Sequence, residues 1–301
     1  MTELPLVTVV IATRDRPEML RTAIAAVAAQ TYRGPIECLA VFDRSEPDMA
    51  LEDESPLRSV RVLTNQRAPG LAGARNTGIL AAKGQFVAFC DDDDVWRPEK
   101  LELQVDALGT ALTSVTGIVI DYGGRQVERV PTRDSFTLEN LVRDRLMEAH
   151  PSTVLIRRDA LLDEIGLVDE EIPGSYGEDF DFIIRAVQAG PVSVVEQPLV
   201  DVRWGQSMFS RDWKTIIDAI DYMIAKHEVF RSDRRALARL YGRRAFANAA
   251  LGETRQSLRD SWRTVRSSVT EKRAYVSLLV AAHLVSAPRL LDLAHRRGRG
   301  I

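Results

Sequence analysis

Four consecutive carboxylates, Asp91 to Asp94, stand between the apolar run Gln85 to Cys90 and the segment Val95 to Leu101. A strand that delivers this much negative charge to its carboxyl end needs a cation there. Oxygen ligands suit a hard divalent ion, Mn2+ or Mg2+, whose coordination a phosphate can complete. The plain alternative is a solvated acidic turn leading into a helix that starts near Pro98, with Asp94 as its cap. The preceding strand and the flanking residues favour a metal site for the block, with Asp94 kept as the helix cap.

The elements that must position these acids are readable nearby. Leu6 to Ala12 is an unbroken, largely β-branched run suited to a strand buried on both faces, and Thr13-Arg-Asp-Arg-Pro17 ends it. After Pro17, apolar residues from Met19 to Ala28 recur at helical spacing as far as Gln30. Strands follow at Ile36 to Phe42 and Ser59 to Leu63, and a small-residue helix at Leu71 to Ala82 is closed by Gly84. This alternation predicts an α/β fold with a Rossmann-like, mostly parallel sheet flanked by helices. Ligands of such sheets gather outside the carboxyl ends of the strands. Thr13 to Asp15, Asp43 and Asp91 to Asp94 are therefore expected to meet at one edge.

Beyond Gly109 the pieces are shorter. Strands are expected at Ser114 to Tyr122, Gln126 to Val130, Thr153 to Arg157, Pro191 to Val195 and Pro198 to Arg203, with helices at Leu138 to Asp144 and Glu178 to Val187. From Phe209 the pattern is almost wholly helical, with one break at Gly252-Glu-Thr254. Leu237 to Val265 resembles a single TPR-type pair, too little for a solenoid.

Composition excludes several classes. The chain has 301 residues, 45% of them hydrophobic, enough for a sizeable core, and its net charge of −3 gives no reason to expect nucleic acid as a partner. That average hides a split: 19 Lys/Arg against 9 Asp/Glu from Arg211 onward, and 21 against 34 before it. Cys38 and Cys90 lie in apolar runs and read as reduced thiols. No segment is apolar enough to span a membrane, and the first apolar run is too short for a signal peptide, so the cytoplasm is the expected location.

Read in order, the motifs name a family. Val9-Val-Ile-Ala-Thr-Arg-Asp-Arg-Pro-Glu-Met-Leu20, Ala29-Gln-Thr-Tyr32, Val41-Phe-Asp-Arg-Ser45, Gly73-Ala-Arg-Asn-Thr-Gly78, Phe89-Cys-Asp-Asp-Asp-Asp-Val-Trp-Arg-Pro98 and Gly177-Glu-Asp-Phe-Asp-Phe182 together resemble the family 2 glycosyltransferases of GT-A fold. The resemblance covers roughly residues 5–210. It implies transfer of a sugar from a nucleoside diphosphate sugar, UDP- or dTDP-linked, to an acceptor hydroxyl with inversion, in the synthesis of a glycan, cell-surface polysaccharide or glycosylated metabolite.

By the same resemblance, Asp93, aligned on Trp96-Arg-Pro98, is the principal metal ligand and Asp91 the second, with Asp92 near the ribose or the metal's waters. Thr13, Arg14 and Asp15 would bind the donor. Asp43 would bind its base or ribose, although Phe42 and Arg44 replace the family's usual neighbours there. Arg75 would touch the diphosphate, or else form a helix-surface ion pair. Asp179 would be the general base and Glu178 its orienting partner. The bland reading of both acids is a favourable helix start, and Asp181 is read as structural. Gly205 stands where many relatives carry a histidine, so either Trp204, Gln206 or Ser207 closes the site differently or metal binding is weaker than in those relatives. His150 reads as a structural histidine.

Residues 1–210 are expected to be the catalytic domain and 211–301 a helical region. Tyr275 to Val285 with Arg289 to Arg299 would touch the inner membrane face, or else pack on the catalytic domain or on a second subunit as in a homodimer, with the arginines solvated. Two rivals stand beside the enzyme. A non-catalytic nucleotide-sugar binding or scaffold protein is suggested by the missing histidine and the altered Asp43 neighbourhood. A nucleotidyltransferase would need a glycine-rich phosphate loop that Thr13-Arg-Asp-Arg-Pro17 lacks.

Overall fold

The computed structural model describes residues 4–122, 124–144, 146, 148–203 and 212–296. Trp204, Gly205, Gln206 and Ser207, Gly123 between two of the expected strands, and Arg297 and Arg299 lie outside them. The described residues fall into two compact units: 1–138, 146–170 and 178–204 in the first, and 139–145, 171–177 and 205–301 in the second.

The first unit is built on one sheet. β1 (Val7–Thr13), β2 (Ile36–Phe42), β3 (Arg58–Thr64) and β4 (Phe86–Asp91) pair in parallel, with β1 between β2 and β4. Every residue of β1 and β2 is buried, which is why both read as largely apolar runs with no solvent face, and the buried Thr8 hydroxyl donates to the buried Glu37 carboxylate at 2.9 Å. The connections between parallel strands include α1 (Pro17–Ala28) and α2 (Leu71–Ala81). The small residues of α2 have a steric reason. A Cβ on Gly78 would lie 2.3 Å from Val10 Cγ1, so the helix can approach β1 this closely only with glycine there.

The sheet continues through β8 (Leu155–Arg157), β6 (Thr113–Asp121), β9 (Val192–Arg203) and β5 (Val95–Trp96), with β7 (Gln126–Arg129) on β6. Only the short strands β5, β7 and β8 oppose the common direction, each antiparallel to its neighbours. The two strands expected at 191–203 are one, β9, which crosses Pro198 where the register against β6 shifts beside Gly117. Proline donates nothing to the ladder, and an irregularity is where a strand tolerates it. α3 (Lys100–Leu108), α4 (Leu138–Asp144), α5 (Arg158–Ala160), which runs on into a π turn at Leu161–Ile165, and α6 (Glu178–Ala189) complete the elements up to β9. Phe182 of α6 meets Phe89 of β4 edge to face, with centroids 5.4 Å apart, which fixes the first turn of α6 against the sheet.

Under the site, Lys100 is fully buried, its Nζ 3.8 Å from the centroid of Trp96 and donating to Gln104 Oε1 at 2.7 Å. No carboxylate pairs with it among the described residues, and burial pushes its ammonium down to about 7.

In the second unit, α7 (Trp213–Lys226), α8 (Glu228–Ser232), α9 (Arg234–Ala250), α10 (Thr254–Ser267), α11 (Lys272–Ala281) and α12 (Ala287–Arg296) replace the single expected break with several. One cause is legible at Asp233, whose carboxylate accepts from the backbone N–H groups of Arg235 and Ala236 and so starts α9 afresh. α9 and α10 form the expected hairpin, tied by Arg244, whose Nε and Nη2 reach the two oxygens of buried Asp260 at 2.9 and 2.7 Å. The inserted segments belong here: Arg143 Nε donates to Asp233 Oδ2 at 2.6 Å, Arg239 Nε to the Val142 carbonyl at 3.1 Å, and Arg243 to the Tyr176 hydroxyl. Among the described residues no helix is long and apolar enough to cross a membrane.

Candidate active site

The carboxyl ends of β1, β2 and β4 lie side by side, Ala12 opposite Asp91 and Thr13 opposite Phe42. The acids after β4 therefore meet the turn after β1. Thr13 Oγ1 donates to Asp92 Oδ2 at 2.8 Å, and Arg16 Nη1 donates to Asp92 Oδ1 and Asp93 Oδ2, both at 3.0 Å. Burial opposes the Arg16 charge, yet the two aspartates outweigh it and hold its pKa above the ordinary value. Asp92 goes the other way: burial raises it in spite of Thr13 and Arg16. Arg14 and Asp15 stay on the exposed rim, 3.6 Å from each other, with Asp15 in the left-handed region at φ 55°.

Asp43 is buried and already occupied. It accepts from Asn65 Nδ2 at 2.8 Å, from the Gly70 N–H at 3.1 Å and from Arg44 Nε at 3.0 Å. Burial alone would raise its pKa, but these donors bring it below the ordinary carboxylate range. The carboxylate thus fixes the loop that leads into α2.

The helix-cap reading of Asp94 is corrected. Asp94 caps no helix: α3 begins at Lys100, and Asp94 is buried, accepting from Ser152 Oγ at 2.6 Å, with His150 Nδ1 3.4 Å away. Burial pushes its carboxyl up to about 7. His150 is part of the acidic cluster, because its Nε2 also lies 3.9 Å from Asp91 Oδ2. Asp91, Asp94 and His150 offer ligand atoms all within 4.8 Å of one another.

Arg75 forms an ion pair, but not a helix-surface one. Its side chain is 4% exposed, with Nη1 on Glu178 Oε1 and Nη2 on Asp91 Oδ1, both at 2.6 Å. Burial opposes its charge, and Asp91 and Glu178 reverse that and hold it firmly protonated. At Asp91 burial is likewise outweighed, by Arg75 and His150, so its pKa falls. At Glu178 burial prevails over Arg75 and lifts the carboxyl to about 7. One guanidinium facing two carboxylates leaves surplus negative charge, which adds to burial in disfavouring the ionised form of Glu178.

Asp179 is half-buried in the first turn of α6, its Oδ1 accepting from the Phe180 N–H at 2.8 Å. With Arg75, Phe89, Val168 and Phe182 it helps line a cavity of about 10 Å3. That is about one water's worth of space, too little to hold a sugar. Asp181 is structural, fully buried and paired with Arg185 of the same helix at 2.8 Å.

The sequence and the fold match known proteins. The profile of glycosyl transferase family 2 matches residues 8–164. An Escherichia coli protein, WfgD, described as a UDP-Glc:alpha-D-GlcNAc-diphosphoundecaprenol beta-1,3-glucosyltransferase, is 35% identical over 104 residues, which are 34% of this chain and 41% of that one. The succinoglycan biosynthesis protein ExoO of Rhizobium meliloti is 28% identical over 246 residues, 76% of this chain and 68% of its own. Among solved structures, S. aureus TarS 1-349 in complex with UDP-GlcNAc superposes with a TM-score of 0.64 at 17% identity, covering 97% of this chain and 92% of that one. The mannosyltransferase PcManGT of Pyrobaculum calidifontis, in complex with GDP-Man and Mn2+, gives 0.56 at 17% identity, covering 97% and 80%. Since the profile spans more than half of the sequence and the acids after β4 sit at the parallel sheet edge that a GT-A fold requires, this chain belongs to glycosyl transferase family 2.

Proposed function

We propose that the chain transfers a sugar from a UDP- or dTDP-linked donor to an acceptor hydroxyl, with inversion, in assembly of a cell-surface glycan. The observation that carries this reading is the Arg75 bridge between Asp91 and Glu178. It ties the acids after β4 to the first turn of α6, holding donor-side and acceptor-side groups in fixed relation. The names of the E. coli and Rhizobium relatives support the glycan context, and the UDP-Glc in the E. coli protein's name supports the donor class.

The donor's diphosphate is proposed to lie over the edge formed by Thr13, Arg14, Asp15 and Asp91 to Asp93, with Asp43 and Asp92 on the nucleoside side. The donor atoms present there fit Mn2+ or Mg2+. Asp91 and Asp93 would be ligands, and the neighbouring Asp94 and His150 add an oxygen and an imidazole nitrogen that suit Mn2+. Bound there, the ion supplies Lewis-acid neutralisation of the leaving diphosphate. Asp179 accepts the proton of the acceptor O–H as that oxygen bonds to the anomeric carbon and the bond to the diphosphate oxygen breaks. Glu178, held by Arg75, keeps the turn that carries Asp179 in place.

Donor turnover with Mn2+ tests this. Asp179→Asn is expected to slow transfer by roughly 10²–10⁴-fold while the donor still raises the melting temperature, and Asp93→Ala should remove the Mn2+ dependence. A wild type no faster than both variants rejects catalysis, and a donor-induced thermal shift in that case identifies a nucleotide-sugar binding protein instead.

A further inference from the structure

α10 is turned inside out. Its buried stripe is Ser257, Asp260, Ser261 and Thr264, while Leu258 is 48% and Trp262 67% exposed. At 3.6 residues per turn, Arg255, Leu258, Arg259, Trp262 and Arg266 share one outward stripe of about 100°. The three arginines are exposed, and no carboxylate pairs with them among the described residues. The sole acid of the helix, Asp260, is buried and consumed by Arg244. A water-facing helix gains nothing from presenting leucine and tryptophan outward, so this face has the composition of a contact surface.

We infer that this α10 face docks on an anionic lipid bilayer. Charge complementarity selects that occupant: unpaired guanidinium groups suit anionic headgroups, and the indole of Trp262 beside Leu258 suits the boundary between headgroups and acyl chains. A second copy is disfavoured, because an isologous contact would set the arginine stripe against itself. The surface is distinct from the segment at 275–299, whose sequence also suits a membrane face, and the inference does not rest on sugar transfer.

The test uses the full chain and sedimentation with vesicles of phosphatidylcholine, alone or with phosphatidylglycerol. Binding is expected only to the anionic vesicles and should weaken as salt rises. Arg255→Gln with Arg259→Gln and Arg266→Gln should weaken it by roughly fivefold per arginine, on the order of 100-fold together, with an unchanged melting temperature. Trp262→Ser should weaken binding while leaving its salt dependence. Equal binding to neutral vesicles, binding unmoved by the triple arginine variant, or no binding at all overturns the inference. So does a concentration-dependent dimer that Trp262→Ser dissolves, which assigns the face to a second copy. Because only binding is read, none of these outcomes bears on glycosyl transfer.

Discussion

Arg75 and Arg16 each face two carboxylates, yet they do so under opposite conditions. Arg75 lies at the floor of the site, its side chain 4% exposed, between Asp91 and Glu178. Arg16 lies at the mouth, its side chain 36% exposed, across Asp92 and Asp93. A buried guanidinium cannot leave without stranding two charges away from water. An open one can exchange its carboxylates for solvent or for a competing cation at little cost. The floor is therefore architecture, whereas the mouth is adjustable, and under the proposed function Asp93 would exchange Arg16 for the metal.

The largest break in this contrast is expected from Arg75→Met, which leaves Asp91 and Glu178 unpaired. Chemical denaturation should register a loss of about 3–5 kcal/mol, and retention of wild-type stability would mean that Arg75 is not the keystone assigned here. Lys100 sharpens the contrast as a buried cation with no carboxylate. Its folded pKa of about 7 lies below the ordinary 10.5, so between those values the unfolded chain binds more protons, and stability rises with pH. Lys100→Met should accordingly stabilise the protein by roughly 1–3 kcal/mol near pH 7, with the gain shrinking toward pH 10. Melting curves at both pH values check this, and a pH-independent difference contradicts it.

The smallest effect on stability belongs to the mouth. Arg16→Ala should shift unfolding by under about 1 kcal/mol, since the pair is partly solvated. The same variant removes a cation that competes for Asp93, so less Mn2+ should be needed for half-maximal metal binding, as titrated by calorimetry. A Mn2+ affinity unchanged by Arg16→Ala would mean that the guanidinium and the ion do not share Asp93.

The ends of β1, β2 and α2 are legible in the sequence to within a residue, because their burial on both faces or against β1 is written in apolar and small residues. The convergence of Thr13 with the β4 acids follows from parallel topology alone. Other parts need long-range partners that no local pattern announces. Asp94 looks like a cap until Ser152, 58 positions on, supplies its hydrogen bond, and His150 enters the site with it. Arg16 carried a faint signal, a second cation in Thr13-Arg-Asp-Arg-Pro17, but whether Arg14 or Arg16 turns inward depends on the left-handed kink at Asp15. The continuity of β9 across Pro198 depends on the register shift beside Gly117, which strand patterning does not encode.

The interleaving of the two compact units bears on how this chain can be rearranged. A helical region joined through one linker could be exchanged between relatives as a cassette. Here, removing residues 205–301 would take Asp233 from Arg143, Arg239 from the Val142 carbonyl and Arg243 from Tyr176. Any recombinant that replaces the C-terminal helices must therefore replace 139–145 and 171–177 with them, and three separate stretches of sequence are bound to a common fate.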